Sequence, residues 1–281
     1  MLLPFRVTQT GRDRTPTMDG DEIFALVASF IIAVHGSFRW LRAVNCFHQK
    51  RDATVPQFLL LLTAPVSLML LVVVLKFTAA REVRDEPQYL LLFTVAGAAW
   101  LTAASELMLF VGVDLTGDAV HRGNSASAIA GIGAFLGIIV SYAGANAGEG
   151  ATIWTTFYPA CISLLAIFAV WLAVQWVGNV AYSISIDRDL ASGFRLGGLL
   201  LACDIIFAKA GAGDWVSADA TLRDYVRLGW PAIPIAAAIA ILQRWLRPTP
   251  ANPRSNVFID GVLPAVAANL FALLWFLRGH R

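Results

Sequence analysis

Apolar residues run along most of this chain in long continuous blocks separated by short polar stretches. Blocks of about 20 residues match the ~30 Å hydrocarbon layer of a bilayer at ~1.5 Å of rise per residue. The pattern predicts about eight membrane-spanning helices, over residues 22–44, 56–79, 88–113, 125–146, 153–178, 191–210, 225–247 and 257–277. Charge- and turn-rich stretches such as HQKRD, REVRDEP, DLTGD and RPTPANPRS fall between them. The expected fold class is all-α, a polytopic transmembrane helix bundle. Residues 1–21 read as a polar N-terminal tail and 22–281 as a single transmembrane domain. The tail lacks the apolar centre of a signal peptide, so the first span is expected to serve as an uncleaved targeting signal.

The spacing of the blocks predicts more than their number. Helix pairs 22–80, 88–147, 153–210 and 225–277 recur about every 65 to 70 residues, a period of the kind that marks internal repeats. The second and third pairs also align in sequence. Ala126, Ser127, Gly133, Leu136 and Ala143 meet Ala191, Ser192, Gly198, Leu201 and Ala208. Each unit holds two spans, so successive units enter the membrane the same way round. The expected architecture is four two-helix units in parallel repeat, unlike the inverted repeats of many secondary transporters.

Composition agrees with lipid as the solvent. Hydrophobic residues make up 58% and charged residues 14% of 281 positions, against roughly 45–50% and 25% in soluble domains. A formal net charge of +2 and the lack of a dense basic run exclude a nucleic-acid partner. The 21 Lys and Arg divide almost evenly between the two sides, so the positive-inside rule assigns no orientation. Trp40, Trp154, Trp176, Trp230, Trp245 and Trp275 fall near the ends of spans, where indole rings favour the headgroup layer. Trp100 and Trp171 lie deeper and read as packing residues. Cys46, Cys161 and Cys203 show no metal or redox spacing and read as structural.

Two sets of residues are candidates for a specific role. Gly133 and Gly137 in the fourth span, and Gly193 and Gly197 in the sixth, form small-xxx-small patterns that let helix backbones approach closely. They serve either internal packing or self-association. Glu106 in the third span and Asp204 and Lys209 in the sixth are ionisable groups at membrane depth, by default a candidate polar pathway for an ion or small solute. Their alternative is a structural ion pair, or groups near enough to the interface to stay wet. Arg195 adds a third charge to the sixth span, which crosses the bilayer only if its charges snorkel or face the bundle interior.

Asp204 and Lys209 lie about 140° apart round a helix, so they are not the favoured i,i+4 pair. They also miss the spacing of a retinal-binding lysine and its aspartate. His35 is the only histidine well inside a span, while His48, His121 and His280 fall in loops or tails. A packed or hydrogen-bonded core histidine is expected rather than a haem ligand. No cofactor or metal is implied, and no GxSxG, HExxH, Walker loop or catalytic carboxylate pair is present. Pro65, Pro159, Pro231, Pro234 and Pro264 lie inside spans, where they either kink helices around a cavity or sit harmlessly in first turns.

The stretch Asp118, His121, Arg122, Gly123, Asn124, Ser125, Ala126 and Ile129, followed by Gly133 and Gly137, resembles the bacterial integral membrane family known as domain of unknown function 350, the YjfL-like proteins. Ala191, Ser192, Gly193, Phe194, Leu196 and Gly197 resemble the family's later helix more loosely. The resemblance covers about residues 88–213. It implies a membrane fold of paired helices with no established biochemical activity. Arg195, Asp204 and Lys209 depart from a segment that is usually apolar in that family.

The functional expectation is a non-enzymatic envelope protein in a cell membrane, by default a bacterial inner membrane. It would act as a scaffold or accessory through helix–helix contacts with itself or other membrane proteins. The competing expectation is a small-solute or ion channel or transporter that uses Glu106, Asp204 and Lys209. A polar cavity joining the third and sixth spans would favour transport, and a dry interior with an exposed glycine face would favour assembly.

Overall fold

The computed structural model describes residues 18–50, 53–150, 152–249 and 256–278. Most of the polar tail, and His280, lie outside them. The chain is helical nearly throughout: α1 (Gly20–His48), α2 (Val55–Thr78), α3 (Arg81–Asp85), α4 (Pro87–Phe110), α5 (Ser125–Ala145), α6 (Trp154–Gly178), α7 (Val180–Ser185), α8 (Leu190–Gly211), α9 (Ala218–Gly229), α10 (Ala232–Leu246) and α11 (Leu263–Leu277). Two wider, π-type turns occupy Leu115–His121 and Val257–Val262. Among the described residues seven helices are long and apolar enough to cross a membrane, and an eighth span forms if the bent pair α9–α10 is counted as one. The protein is thus an all-α, multi-pass membrane bundle, as the apolar blocks predict.

Local sequence sets the helix starts. Asp19 with Glu22, and Thr54 with Gln57, form reciprocal capping boxes on α1 and α2. Asn124 accepts from Ala126 N and Ser127 N, and Asp189 accepts from Ser192 N, to cap α5 and α8. Asp114 and Asn256 cap the two π-type segments in the same way.

The expected seventh span, 225–247, differs from the structure. Its helix begins earlier, at Ala218, and breaks at Trp230–Pro231 with a bend of 48°. Pro231 and Pro234 have no N–H to donate to Arg227 O and Trp230 O, so the helical ladder fails there. The sixth span, doubtful because of its charges, is a continuous helix of 22 residues with Arg195, Asp204 and Lys209 all buried.

The centre of the bundle is the seam between α5 and α8. A Cβ added to Gly133 would lie 2.2 Å from Gly197 O, one on Gly193 2.5 Å from Ala126 O, and one on Gly144 2.5 Å from Ala208 Cα. Only glycine permits this approach. The contacts ascend together along both helices, so α5 and α8 run in the same direction. α2 packs on the far side of α5, and α11 on the far side of α8. α1 and α4 flank one half of this row, α6 and α10 the other.

One kind of link recurs along the row. Near the start of α2, Gln57 Nε2 donates to Ala119 O and Val120 O at 2.8 and 3.0 Å. Asn124 Nδ2, at the start of α5, donates to Ile184 O at 2.7 Å. Arg195 Nη1, near the start of α8, donates to Asp260 O at 2.5 Å. Each side chain holds backbone of the segment leading into the next helix of the row. At the other end, Gly213 N donates to Ala147 O and Trp215 N to Glu149 O, both at 2.8 Å.

Candidate functional site

A cavity of about 320 Å³ lies between α1, α2 and α4 and is closed at one end by the Leu115–His121 segment. Its wall is mostly apolar, including Leu60, Leu68, Leu101, Leu109 and Phe135. Helix geometry creates it. Gly36 of α1 crosses Thr102 of α4 so closely that a Cβ would lie 2.0 Å from Thr102 Oγ1, while α2 carries Pro65 in the wall. Pro65 has no N–H for the carbonyl four residues earlier, which leaves Leu61 O free. Trp40 Nε1 of α1 donates to that carbonyl at 3.0 Å. The proline is therefore both a gap in the ladder of α2 and the acceptor site that ties α1 to it.

The polar end of the cavity is built from α1, α4 and the Leu115–His121 segment. Arg39 lines it and forms an ion pair with Glu106. Arg39 Nη2 also reaches Thr116 Oγ1 at 3.5 Å. Asp114 lines the same end, where its Oδ1 accepts from Thr116 N and Gly117 N at 3.0 and 2.8 Å. The hydroxyls of Ser37, Thr102 and Ser105 complete it. Each charge is answered, Arg39 by Glu106 and Asp114 by backbone N–H groups, so the end is polar without a large net field. Such a volume is near the lower bound of the ~300–1,000 Å³ typical of ligand pockets. Its shape suits a small apolar body carrying one polar or charged group.

The expected polar-pathway residues are placed apart. Glu106 faces α1, where His35 Nε2 also stands 3.9 Å from its Oε1. Asp204 is fully buried in the α5–α8 seam, with Oδ2 where a Cβ on Gly137 would come within 2.6 Å. It lies beside the Ser141 hydroxyl, which is itself turned to Ile138 O at 3.1 Å. Lys209, in the last turn of α8, donates from Nζ to Trp275 O at 2.5 Å and to Arg278 O, with the Trp275 ring centroid 5.3 Å away. It thus caps the carbonyl end of α11, where a cation is favoured. Among the described residues these three share no hydrogen bond or ion pair with one another.

The four candidate glycines do come together. Gly133, Gly137, Gly193 and Gly197 are all buried in the α5–α8 seam. They pack the interior rather than presenting a face to a second protein. His35 differs from expectation, because its side chain is 65% exposed and faces out of the bundle beside Glu106. Trp40 lies well inside α1, which continues to His48.

Arg195 carries the most complete polar network. It is fully buried. Its Nε donates to Gln243 Oε1 at 2.8 Å and its Nη2 to Ser192 Oγ at 3.0 Å and Asp189 Oδ2 at 3.4 Å. Ser192 Oγ donates to Asp189 Oδ2 at 2.5 Å and accepts from Gln243 Nε2 at 2.9 Å. With Asp260 O, this joins α8, α10 and the segment before α11. A charge survives at such depth because it is paired and hydrogen-bonded throughout. The cluster is a structural clasp, with its donors directed at protein rather than into a cavity. Just outside α8, the Asp187 carboxyl is pushed up by burial and by neighbouring Asp189, against the pull of Arg247.

Sequence reasoning did not single out Arg39, Asp114 or Thr102, and Trp40, expected in the headgroup layer, instead ties α1 to α2. The one signal that pointed toward them was Pro65 inside a span, which has a cavity wall as one of its two ordinary explanations.

The fold and these sites define a polytopic, all-α membrane protein with an embedded cavity. Compared with family models, curated proteins and solved structures, the chain matches none of them, and its functional reading rests on its own residues.

Proposed function

We propose that this chain binds a small, largely apolar molecule in the α1–α2–α4 cavity and is a membrane channel, transporter or solute-binding protein without enzymatic activity. The observation that carries this reading is the cavity itself, about 320 Å³ with Arg39, Asp114 and Thr116 at one end. The polar group of the ligand would sit at that end and its apolar body along α2 and α4. The scaffold role has less support, because the glycine stripes that would serve a partner helix lie in the α5–α8 seam. Of the proposed pathway residues, Glu106 belongs to the working site through Arg39, whereas Lys209 caps α11 and Asp204 lies in the α5–α8 seam away from the cavity.

We also infer that the four helix pairs are a parallel repeat, supported by the recurring links from Gln57, Asn124 and Arg195. A bacterial inner membrane is the proposed setting, and kinship with the YjfL-like family remains part of the proposal.

Filling the cavity tests the function. Ala98→Phe places a ring among Leu101, Pro65 and Trp40 without touching the α5–α8 seam. Protein purified in mild detergent is assayed by native mass spectrometry for a retained small molecule, and in vesicles for flux of candidate solutes. Wild type is expected to carry ligand or flux that Ala98→Phe lacks while keeping its helical circular dichroism. Equal retention and flux in both would sink the reading.

A further inference from the structure

We propose that α9 is a docking surface for anionic phospholipid headgroups, with Arg223 and Arg227 as the residues that hold the phosphate. This stands independently of the cavity. α9 differs from every long helix of the bundle, since it is 12 residues long, carries charge on each turn, and meets α10 at 48°. One side is fixed to the bundle. Tyr225 is buried, and its hydroxyl donates to Pro159 O at 2.7 Å and lies 2.6 Å from Ser163 Oγ. The opposite side faces outward. Leu222, Val226 and Trp230 are 50%, 71% and 52% exposed and follow one another at four-residue intervals, a continuous apolar stripe.

Arg223 and Arg227 each follow a stripe residue by one position, about 100° round the helix. Both are exposed, and neither forms an ion pair among the described residues. Their order along the axis matches the layers of a membrane surface. Asp219 stands in the outermost turn, Arg223 and Arg227 follow, then Trp230, then apolar α10 with Ile233 69% exposed. Asp224 lies on a different side of the helix from the stripe. The level is marked independently by aromatic side chains at the same end of the bundle. The Tyr158 and Trp215 rings stand 5.7 Å apart and those of Trp230 and Trp275 5.9 Å apart. Tryptophan and tyrosine gather at the headgroup layer, and basic residues beside an apolar stripe are attracted there to anionic lipid. Guanidinium groups suit phosphate because their donors form a planar fork.

The test uses the full chain in detergent, titrated with phosphatidylglycerol or phosphatidylcholine. Bound lipid is counted by native mass spectrometry and the thermal midpoint is recorded. Phosphatidylglycerol is expected to be retained in preference to phosphatidylcholine, and raised salt to erase the preference. The Arg223→Gln/Arg227→Gln variant should bind phosphatidylglycerol roughly ten- to thirty-fold more weakly, at about 1 kcal/mol for each basic residue near an anionic surface. Arg223→Lys/Arg227→Lys should keep most of the preference, and Arg244→Gln, at the far end of α10, all of it. Equal retention of the two lipids by wild type, or an undiminished preference in the Gln variant, overturns the proposal. So does equal protection by inorganic phosphate, which would mean an anion site without a lipid surface. The salt titration on wild type needs no variant to fold.

Discussion

Gly133→Ala is the sharpest perturbation of the central seam. The added Cβ would lie 2.2 Å from Gly197 O, whereas an unstrained carbon–oxygen contact is about 3.3–3.6 Å. The obstacle is backbone, so no rotamer change relieves it, and α5 and α8 must part by about 1 Å. A gap of that size forfeits roughly a quarter to a half of each dispersion contact it opens. Overpacking of this kind costs about 1–3 kcal/mol, and the rigidity of the neighbour places Gly133→Ala near ~3 kcal/mol, over a hundredfold in the unfolding equilibrium. Gly229→Ala is the control, because a Cβ there meets only the Phe207 ring at 3.5 Å. Its expected effect is neutral or stabilising by up to about 1 kcal/mol from the lost flexibility of glycine. The assay is reversible unfolding by sodium dodecyl sulfate in mixed micelles, followed by circular dichroism. A Gly133→Ala midpoint equal to wild type, or an equal loss in Gly229→Ala, would refute the claim that backbone contact sets the seam.

Arg195→Met removes the buried guanidinium that pairs with Asp189 and donates to Gln243, Ser192 and Asp260 O, and is expected to destabilise by about 3–5 kcal/mol in the same assay; an unchanged midpoint would count against the clasp. Trp40→Phe removes the donor to the Leu61 carbonyl freed by Pro65 and should cost about 1–3 kcal/mol, the range for stranding a buried polar group; an unchanged midpoint with unchanged hydrogen exchange in α1 would count against the tie. Asp187 has a folded pKa above its unfolded value, so its contribution to stability is present at acidic pH and is lost as pH rises through the folded pKa. The melting temperature of Asp187→Asn should accordingly gain on wild type as pH rises from acid through and above the ordinary carboxylate range, and a constant difference would contradict the sign.

Spans were legible because a bilayer imposes one length on every crossing helix, and apolar runs of that length have few other uses. The boundaries of α2, α5 and α8 follow from Thr54, Asn124 and Asp189, ordinary capping residues just ahead of apolar blocks. The seam was legible in part. Gly133, Gly137, Gly193 and Gly197 announced close packing, but sequence could not say whether the second helix belonged to the same chain. The break at Trp230–Pro231 was announced only by two prolines three residues apart, for which a kink and a harmless first turn both stayed open. The cavity was not legible, since its wall draws on residues from Ala33 to Phe135. Arg39 and Glu106 are 67 positions apart (106 − 39). No local period connects them, and only the crossing of α1 over α4 at Gly36 and Thr102 does.

The charges of α8 and the cavity of α1 answer different physical demands. Within α8, Arg195 and Lys209 are each met by acceptors on neighbouring segments: Gln243, Ser192, Asp189 and Asp260 O for the first, Trp275 O and Arg278 O for the second. Those bonds tie α8 to α10 and α11, so these two cations join helices where lipid supplies no hydrophobic force between them. In the other half, α1 is the least buried of the spans. Of the 29 residues of α1 only Ala25, Ser29 and Ala43 are buried, while α8 buries most of its length. Its ties to α2 and α4 include the Trp40–Leu61 bond, the Arg39–Glu106 pair and the Gly36–Thr102 crossing. Elements with few buried contacts open at the lowest free energy. The cavity thus lies under the span with the smallest buried share, held over it by a crossing, an ion pair and a hydrogen bond rather than by a buried length of helix.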